Sequence, residues 1–269
     1  MKESVPFRLP DPNQAGTMPQ TREHTDLLNA AARAVSRLRI DGARVHCLTN
    51  SVAQPLTANL LLAAGATPSM TMAREEIADF VSRADAVLIN LGTLDPDRMA
   101  AMELAARLCR ETEKPFVLDP VMCHLSPLRR DFALRLLQYS PALMRSNAEE
   151  AEALGSAASG RHAGSVACRV VTGSVDRILF DGSEWEIANG HPWLSKITAA
   201  GCAQGALMAA LSAVEENLPA AGLAALLWVN MAAENAAGKA RGPGSFQSAL
   251  LDCIHDLDPA ELIEQAKLT

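Results

Sequence analysis

Apolar positions along the chain alternate between two periodicities. Leu27, Leu28, Ala31, Ala32, Val35 and Leu38 recur at helical spacing within 24–38. After Asp41-Gly42, the run Arg44-Val45-His46-Cys47-Leu48 reads as a short strand ending at Thr49-Asn50. Residues 56–64 predict a helix stopped by Gly65, and 74–84 an amphipathic helix. Ala86-Val87-Leu88-Ile89-Asn90 then predicts a strand, followed by a turn at Gly92-Thr93. Asp95 starts a helix with Pro96 in its first turn, running towards Arg110, and the strand 115–118 ends in Asp119-Pro120. Short strands alternating with helices of this length predict an α/β protein with a mostly parallel sheet covered by helices on both faces. Residues 155–166 read as a loop, 177–187 as an antiparallel hairpin turning at Asp181-Gly182 on one sheet edge, and 201–240 as mostly helical. Residues 1–24 read as a flexible or surface-draped extension and 25–269 as one domain, with no repeat and no linker.

Composition narrows the partners. The 31 Asp+Glu outnumber the 24 Lys+Arg, giving a net charge of -7, so no basic face for nucleic acid or an anionic membrane is expected. Aromatic residues are 4%, with Tyr139 the one tyrosine, which leaves little for base-stacking or carbohydrate platforms. Cysteines 47, 109, 123, 168, 202 and 253 form no CxxC pair and read as free thiols. The polar, Pro-containing start lacks an apolar core and is not a signal peptide. The longest apolar stretch, 218–233, is broken by Pro219, Gly222 and Asn230 and falls short of a membrane span. The expectation is a soluble, cytoplasmic protein.

Ligands of open parallel sheets bind beyond the carboxyl ends of the strands. Polar residues stand there repeatedly: Thr49-Asn50, Asn90 with Gly92-Thr93, Asp119, Asn147 to Glu150, and Thr172-Gly173. Each alone also suits a cap or a turn. Ala199-Ala200-Gly201-Cys202 leads small residues straight into an Ala-rich helix, where unpaired amides and the helix dipole favour an anion such as phosphate. A thiol at that position is expected to have a lowered pKa.

A series of motifs in order resembles the hydroxyethylthiazole kinases: Val45-His46-Cys47-Leu48-Thr49-Asn50, Leu62 to Ala66, Leu88 to Leu94, Val117 to Val121, Arg145 to Glu150, Val171-Thr172-Gly173, Asn189 to Pro192 and Gly242 to Phe246. The resemblance spans roughly residues 44–254. It implies a ribokinase-like three-layer αβα fold without a lid domain. It also implies transfer of a phosphoryl group from ATP, with Mg²⁺, to the primary alcohol of 4-methyl-5-(2-hydroxyethyl)thiazole in thiamine salvage, by a homotrimer with sites at its interfaces. Carried over by position, Arg129, Thr172 and Asn147 contact the nucleotide, and Glu150 and Asp119 serve Mg²⁺ directly or through water. Ala199, Ala200 and Gly201 form the anion hole, with Ala199 also touching substrate. Cys202 lies beside the substrate hydroxyl as proton acceptor or positioning group, and Gln54 takes the place of a substrate-contacting Met.

The chain departs from the family pattern at the site. Ala199 and Ala200 replace Gly and Thr, and Met122 to Ser126 replace a glycine-containing run after Asp119-Pro120-Val121. If the replaced Gly held a positive φ, Ala199 would cost about 1–2 kcal/mol or reshape the turn. Met122, His124 and Leu125 are bulky enough to crowd a nucleotide crossing that loop, and His124 is either a new phosphate group or a surface histidine. Two further readings follow from the departures: a kinase of the same fold for a more polar alcohol, and a non-catalytic nucleotide-binding protein.

Overall fold

The computed structural model describes residues 22–155 and 166–269. Its elements run α1 (Arg22–Asp41), β1 (Arg44–Leu48), α2 (Gln54–Ala63), β2 (Thr67–Ser69), α3 (Ile77–Arg83), β3 (Ala86–Asn90), α4 (Pro96–Glu111) and β4 (Phe116–Asp119). They continue α5 (Pro127–Leu137), β5 (Leu143–Asn147), α6 (Ala148–Leu154), β6 (Cys168–Thr172), β7 (Asp176–Phe180) and β8 (Ser183–Ile187). A 3₁₀ turn at Pro192–Lys196 leads into α7 (Ala200–Val214), α8 (Leu218–Lys239), α9 (Pro243–Asp256) and α10 (Pro259–Gln265).

The strands form one sheet in the order β2-β1-β3-β4-β5-β6-β7-β8. Pairing is parallel from β2 through β6, and β7 and β8 add antiparallel, which places the expected hairpin at the sheet edge. The period-two alternation of each strand feeds two cores. Ala86 and Leu88 of β3 face the layer of α1, α2, α7, α8 and α9. Val87 and Ile89 face the layer of α3, α4 and α5. This is the three-layer αβα arrangement, with no separate lid among the described residues.

Several boundaries differ from the sequence expectation. The last three positions of the expected 1–24 extension are helical, because α1 begins at Arg22. Its earlier residues, and the expected 155–166 loop apart from its two end positions, lie outside the described residues. The three-residue β2, containing Pro68, is too short to carry a periodic signal. Helices α9 and α10 extend the helical last third beyond Ala240.

α7 and α8 are apolar nearly all round and buried over most of their length, so they pack as interior helices. Their alanines allow close approach. A Cβ on Gly222 of α8 would lie 3.2 Å from Val170 and 3.3 Å from Leu143 of the sheet. The fully buried Trp228 indole donates to the Ile254 carbonyl at 2.9 Å, tying α8 to α9. Residues 267–269 pair with the outer edge of β8, Glu186 and Thr269 exchanging backbone hydrogen bonds at 2.8 and 2.9 Å. Glu234 of α8 accepts from the Gly190 amide at 2.9 Å and from Lys267 Nζ at 3.0 Å, which fastens the loop after β8 to the same tail. No helix among the described residues is long and apolar enough to cross a membrane.

Replacing Gly222 with Leu forces a branched side chain between α8 and the sheet. The expected loss is about 1–3 kcal/mol of unfolding free energy, read as a lower denaturant midpoint with unchanged slope.

Candidate active site

The carboxyl ends of β1, β3, β4, β5 and β6 carry Asn50, Asn90, Asp119, Arg145 and Thr172 into one continuous polar row. Asp119 is fully buried, and its Oδ2 accepts from Asn90 Nδ2 at 2.7 Å. Asn90 Oδ1 accepts in turn from Asn50 Nδ2 at 3.1 Å and from the Gly92 amide at 3.1 Å. Asn50 Oδ1 takes the Ala53 amide at 2.9 Å, and Asn50 Nδ2 also points at Cys202 Sγ, 3.5 Å away. On the other side, Arg145 Nη1 stands 3.8 Å from Asp119 Oδ1, and Arg145 Nη2 donates to Thr172 Oγ1 at 2.9 Å.

Close approaches in this row require glycine. A Cβ at Gly92 would come within 2.7 Å of the Asn50 side chain, and one at Gly201 would overlap the Arg145 guanidinium, 2.6 Å from its Cζ. The start of α7 therefore lies directly on Arg145. The first bond within that helix is Ala203 N to Ala199 O at 3.0 Å, and no side chain caps it. The amides of Ala200, Gly201 and Cys202 are thus left to face an anion beside a guanidinium. Ala199 holds φ +65°, the left-handed region, so the turn keeps its shape with a strained alanine rather than adopting another one.

Burial pushes the Asp119 carboxyl up to about 6, against the pull of Arg145. Burial, and then the Asp119 charge, push the Cys202 thiol up to about 11. The expected lowered thiol is overturned: desolvation and a neighbouring carboxylate outweigh the helix start. Cys202 is a neutral thiol at pH 7.

Beside Arg145 a cavity of about 670 Å³ opens, lined by Arg145, Thr172 and Ala199 to Gly201 and also by Asp176, Gln204 and Asn230. Two of the sequence candidates are engaged elsewhere. Asn147 and Glu150 form a capping box on α6, Asn147 Oδ1 taking the Glu150 amide and Glu150 Oε2 the Asn147 amide. Glu150 Oε1 accepts from the Met122 amide at 2.8 Å, so both its oxygens hold backbone. Arg129 lies outside the cavity lining and donates to the Val121 carbonyl at 3.0 Å. Met122 and Leu125 are exposed and line no part of the cavity, so they do not crowd it. His124 Nε2 stands 3.2 Å from the exposed Glu149 carboxylate. Gln54 is half-buried at the start of α2, four residues from Asn50 and outside the cavity.

The residue that sequence reasoning passed over is Arg145. Its signal was a charge within a strand otherwise facing the two cores. For a divalent cation, the fitting oxygen is Asp119 Oδ1, buried and, among the described residues, without a hydrogen-bond donor. Among the described residues no group of three His, Cys, Asp or Glu could hold a metal. A cation here would draw its remaining ligands from water and phosphate, as Mg²⁺ does.

Two outcomes follow from this geometry. Ala199→Gly relieves the left-handed alanine and raises unfolding free energy by up to about 1 kcal/mol, measured by chemical denaturation. Cys202 is alkylated slowly by iodoacetamide near neutral pH and faster as pH climbs towards 11; Asp119→Asn, by removing a negative neighbour, speeds the reaction at about pH 8.

The sequence profile of the hydroxyethylthiazole kinase family matches residues 35–164 and 156–260. A probable hydroxyethylthiazole kinase of Agrobacterium fabrum is 39% identical over 238 residues, covering 88% of this chain and 94% of its own length. The hydroxyethylthiazole kinase of Kineococcus radiotolerans is 42% identical over 251 residues, covering 85% and 90%. The solved structure of a hydroxyethylthiazole kinase protein from Pyrococcus horikoshii matches with TM-score 0.83 at 34% identity, over 90% of this chain and 98% of that one. A ribokinase-like superfamily protein of Enterococcus faecalis, TM-score 0.58 at 12% identity, shares the fold alone. Matched along most of its length in profile, sequence and structure, the chain belongs to the hydroxyethylthiazole kinase family.

Proposed function

We propose that the protein transfers the γ-phosphoryl group of ATP to the primary alcohol of 4-methyl-5-(2-hydroxyethyl)thiazole, a salvage step towards thiamine, in the cytoplasm. The observation that carries this reading is the uncapped start of α7 laid against Arg145 and Thr172, between a nucleotide-sized cavity and Cys202. Phosphoryl transfer asks the protein mainly for positioning and for stabilisation of charge on the transferring group. Arg145 and the amides of Ala200 and Gly201 supply that positive field locally, whatever the global charge. Among the arginines, Arg145 rather than Arg129 reaches the phosphate end of the cavity, with Thr172 beside it.

The acceptor alcohol belongs on the Cys202 side, near Asn50 and Gln54. A neutral thiol positions the hydroxyl by hydrogen bonding and does not stand ready as a base. Asp119, ionised above about pH 6, is the carboxylate able to attract the departing proton through that side of the row. Mg²⁺, when bound, neutralises phosphate charge, and Asp119 Oδ1 would hold it, with Glu150 acting through water because both its oxygens already accept backbone amides. Asn147 supports that corner by capping α6. The alanines at 199 and 200 keep their backbone donors, which argues for an intact anion site rather than a degenerate one. The homotrimer with interface sites is carried over from the family resemblance, and the exposed Val52, just before α2, and Leu62, near its end, are apolar surface that such an interface would cover.

The direct test is phosphorylation of the thiazole alcohol with ATP and Mg²⁺. No turnover at millimolar thiazole overturns the reading, and preference for a more polar alcohol would favour the alternative that Gln54 suggests. Arg145→Ala is expected to lower kcat/KM by about 10²–10³-fold, the scale of one lost transition-state donor. Cys202→Ala is expected to lose less than the about 10²–10⁴-fold that a general base contributes. The pH profile of kcat/KM should show no thiol limb between pH 7 and 9, because burial and the Asp119 charge hold the Cys202 thiol up at about 11.

A further inference from the structure

Both ladders of β1 end before Thr49: Leu48 opposite Ile89 is the last pair with β3, and His46 opposite Ser69 the last with β2. The peptide joining Thr49 to Asn50 therefore lies past the sheet. Something else must fix it if the Asn50 side chain is to stay on Asn90 and Cys202. The connection from β3 to α4 holds it at two points. At the first, the Gly92 backbone lies so close to the Asn50 side chain that a Cβ there would fall 2.7 Å from it. At the second, Arg98 in the first turn of α4 reaches back, and its Nη2 donates to the Thr49 carbonyl at 2.6 Å.

This hold is made at a local cost. Thr93, between Gly92 and α4, has φ +52°, a left-handed conformation that a β-branched residue rarely adopts. The turn keeps it because both flanks are fastened. Leu91 donates to the Asp119 carbonyl at 3.0 Å and the Gly92 amide to Asn90 Oδ1 at 3.1 Å, while Asp95 caps α4 by accepting from the Arg98 amide at 2.8 Å. The Arg98 side chain is half-buried, and its buried Nε has no hydrogen-bond partner among the described residues. A strained threonine and an unpaired buried donor in one short connection are expected where a group is placed for function rather than for stability.

We infer that Arg98 is a positioning residue for the acceptor alcohol: by pinning the Thr49 carbonyl it holds Asn50 against Asn90 and Cys202, and so fixes the hydroxyl side of the site. Arg98 does not line the cavity beside Arg145, so the nucleotide is bound independently of it. The inference rests on the kinase reading for the identity of the acceptor side, whereas the clamp on Asn50 is a property of the protein alone.

Two readouts on the full chain test it. The first needs no turnover: alkylation of Cys202 by iodoacetamide at about pH 9, where the rate follows the small thiolate fraction. Cys202 is half-buried and the other cysteines are buried, so it dominates the reaction. Asn50 donates to Cys202 Sγ, and a displaced Asn50 leaves the thiolate less favoured. Arg98→Met should slow alkylation about threefold, at the low end of what one hydrogen bond is worth. Arg98→Lys, which keeps the charge and a donor, should restore the rate to within about twofold. In Asn50→Ala protein, Arg98→Met should slow the reaction no further. The second readout is steady-state phosphorylation, where Arg98→Met should lower kcat/KM for the alcohol about tenfold and leave KM for ATP within about twofold.

Unchanged or faster alkylation in folded Arg98→Met, a further slowing in the Asn50→Ala protein, or an equal loss for ATP and alcohol overturns the inference. Arg98→Gln serves as a second truncation should the methionine protein fail to fold. If the unaltered protein phosphorylates no thiazole alcohol, the acceptor reading fails and the alkylation series still decides the clamp. If it does so and Arg98→Met matches it, the positioning role fails and the kinase reading stands.

Discussion

The organising interaction is the buried Asp119 carboxylate, a group that can only accept hydrogen bonds. Because it accepts, Asn90 must turn its amino group inward; because Asn90 does so, its carbonyl is left for Asn50 and Gly92. Asn50 then presents its own amino group towards Cys202 and its carbonyl to the turn that starts α2. A single desolvated charge on β4 thereby sets the direction of two amide side chains, over the ends of β3 and β1. Arg145 completes the row from the other side, and Gly201 leaves it room beneath α7. Removing the charge would leave each amide free to choose, so the row is cooperative rather than a set of separate contacts.

The same desolvation governs the two titrating groups. Asp119 pays for burial with a raised pKa, and its charge in turn keeps Cys202 a thiol. A helix start alone would argue for a thiolate, as the sequence suggested. The local burial and the carboxylate one side chain away decide against it.

Much of the architecture was legible in the sequence because it depends on local periodicity: the alternation of strands and helices, the edge hairpin at Asp181-Gly182, and the small-residue entry to α7 all emerge from short-range patterns. The three-residue β2 and the helical positions at the end of the supposed extension did not, since they are fixed by docking rather than by period. In the row, Asp119 and Thr172 stand at strand ends, as strand-end logic put them, and Ala199 to Gly201 at the start of α7, as their small residues suggested. Arg145 and Arg129 could not be told apart by spacing from a motif, because only tertiary packing shows which guanidinium lies under a glycine. Asn147 and Glu150 illustrate the converse: an N-x-x-E pattern that suits phosphate chemistry here also builds a capping box and a tie to Met122.

Helix α7 separates Cys202 from Gln204 by two residues, a rise of about 3 Å. Buried along most of its length and wedged against the sheet by Gly201 and Gly205, it has no room to roll. It therefore works as a fixed partition. Whatever sits against one flank is held in register with whatever sits against the other by the helical repeat itself, with no need for a loop to close and bring them together.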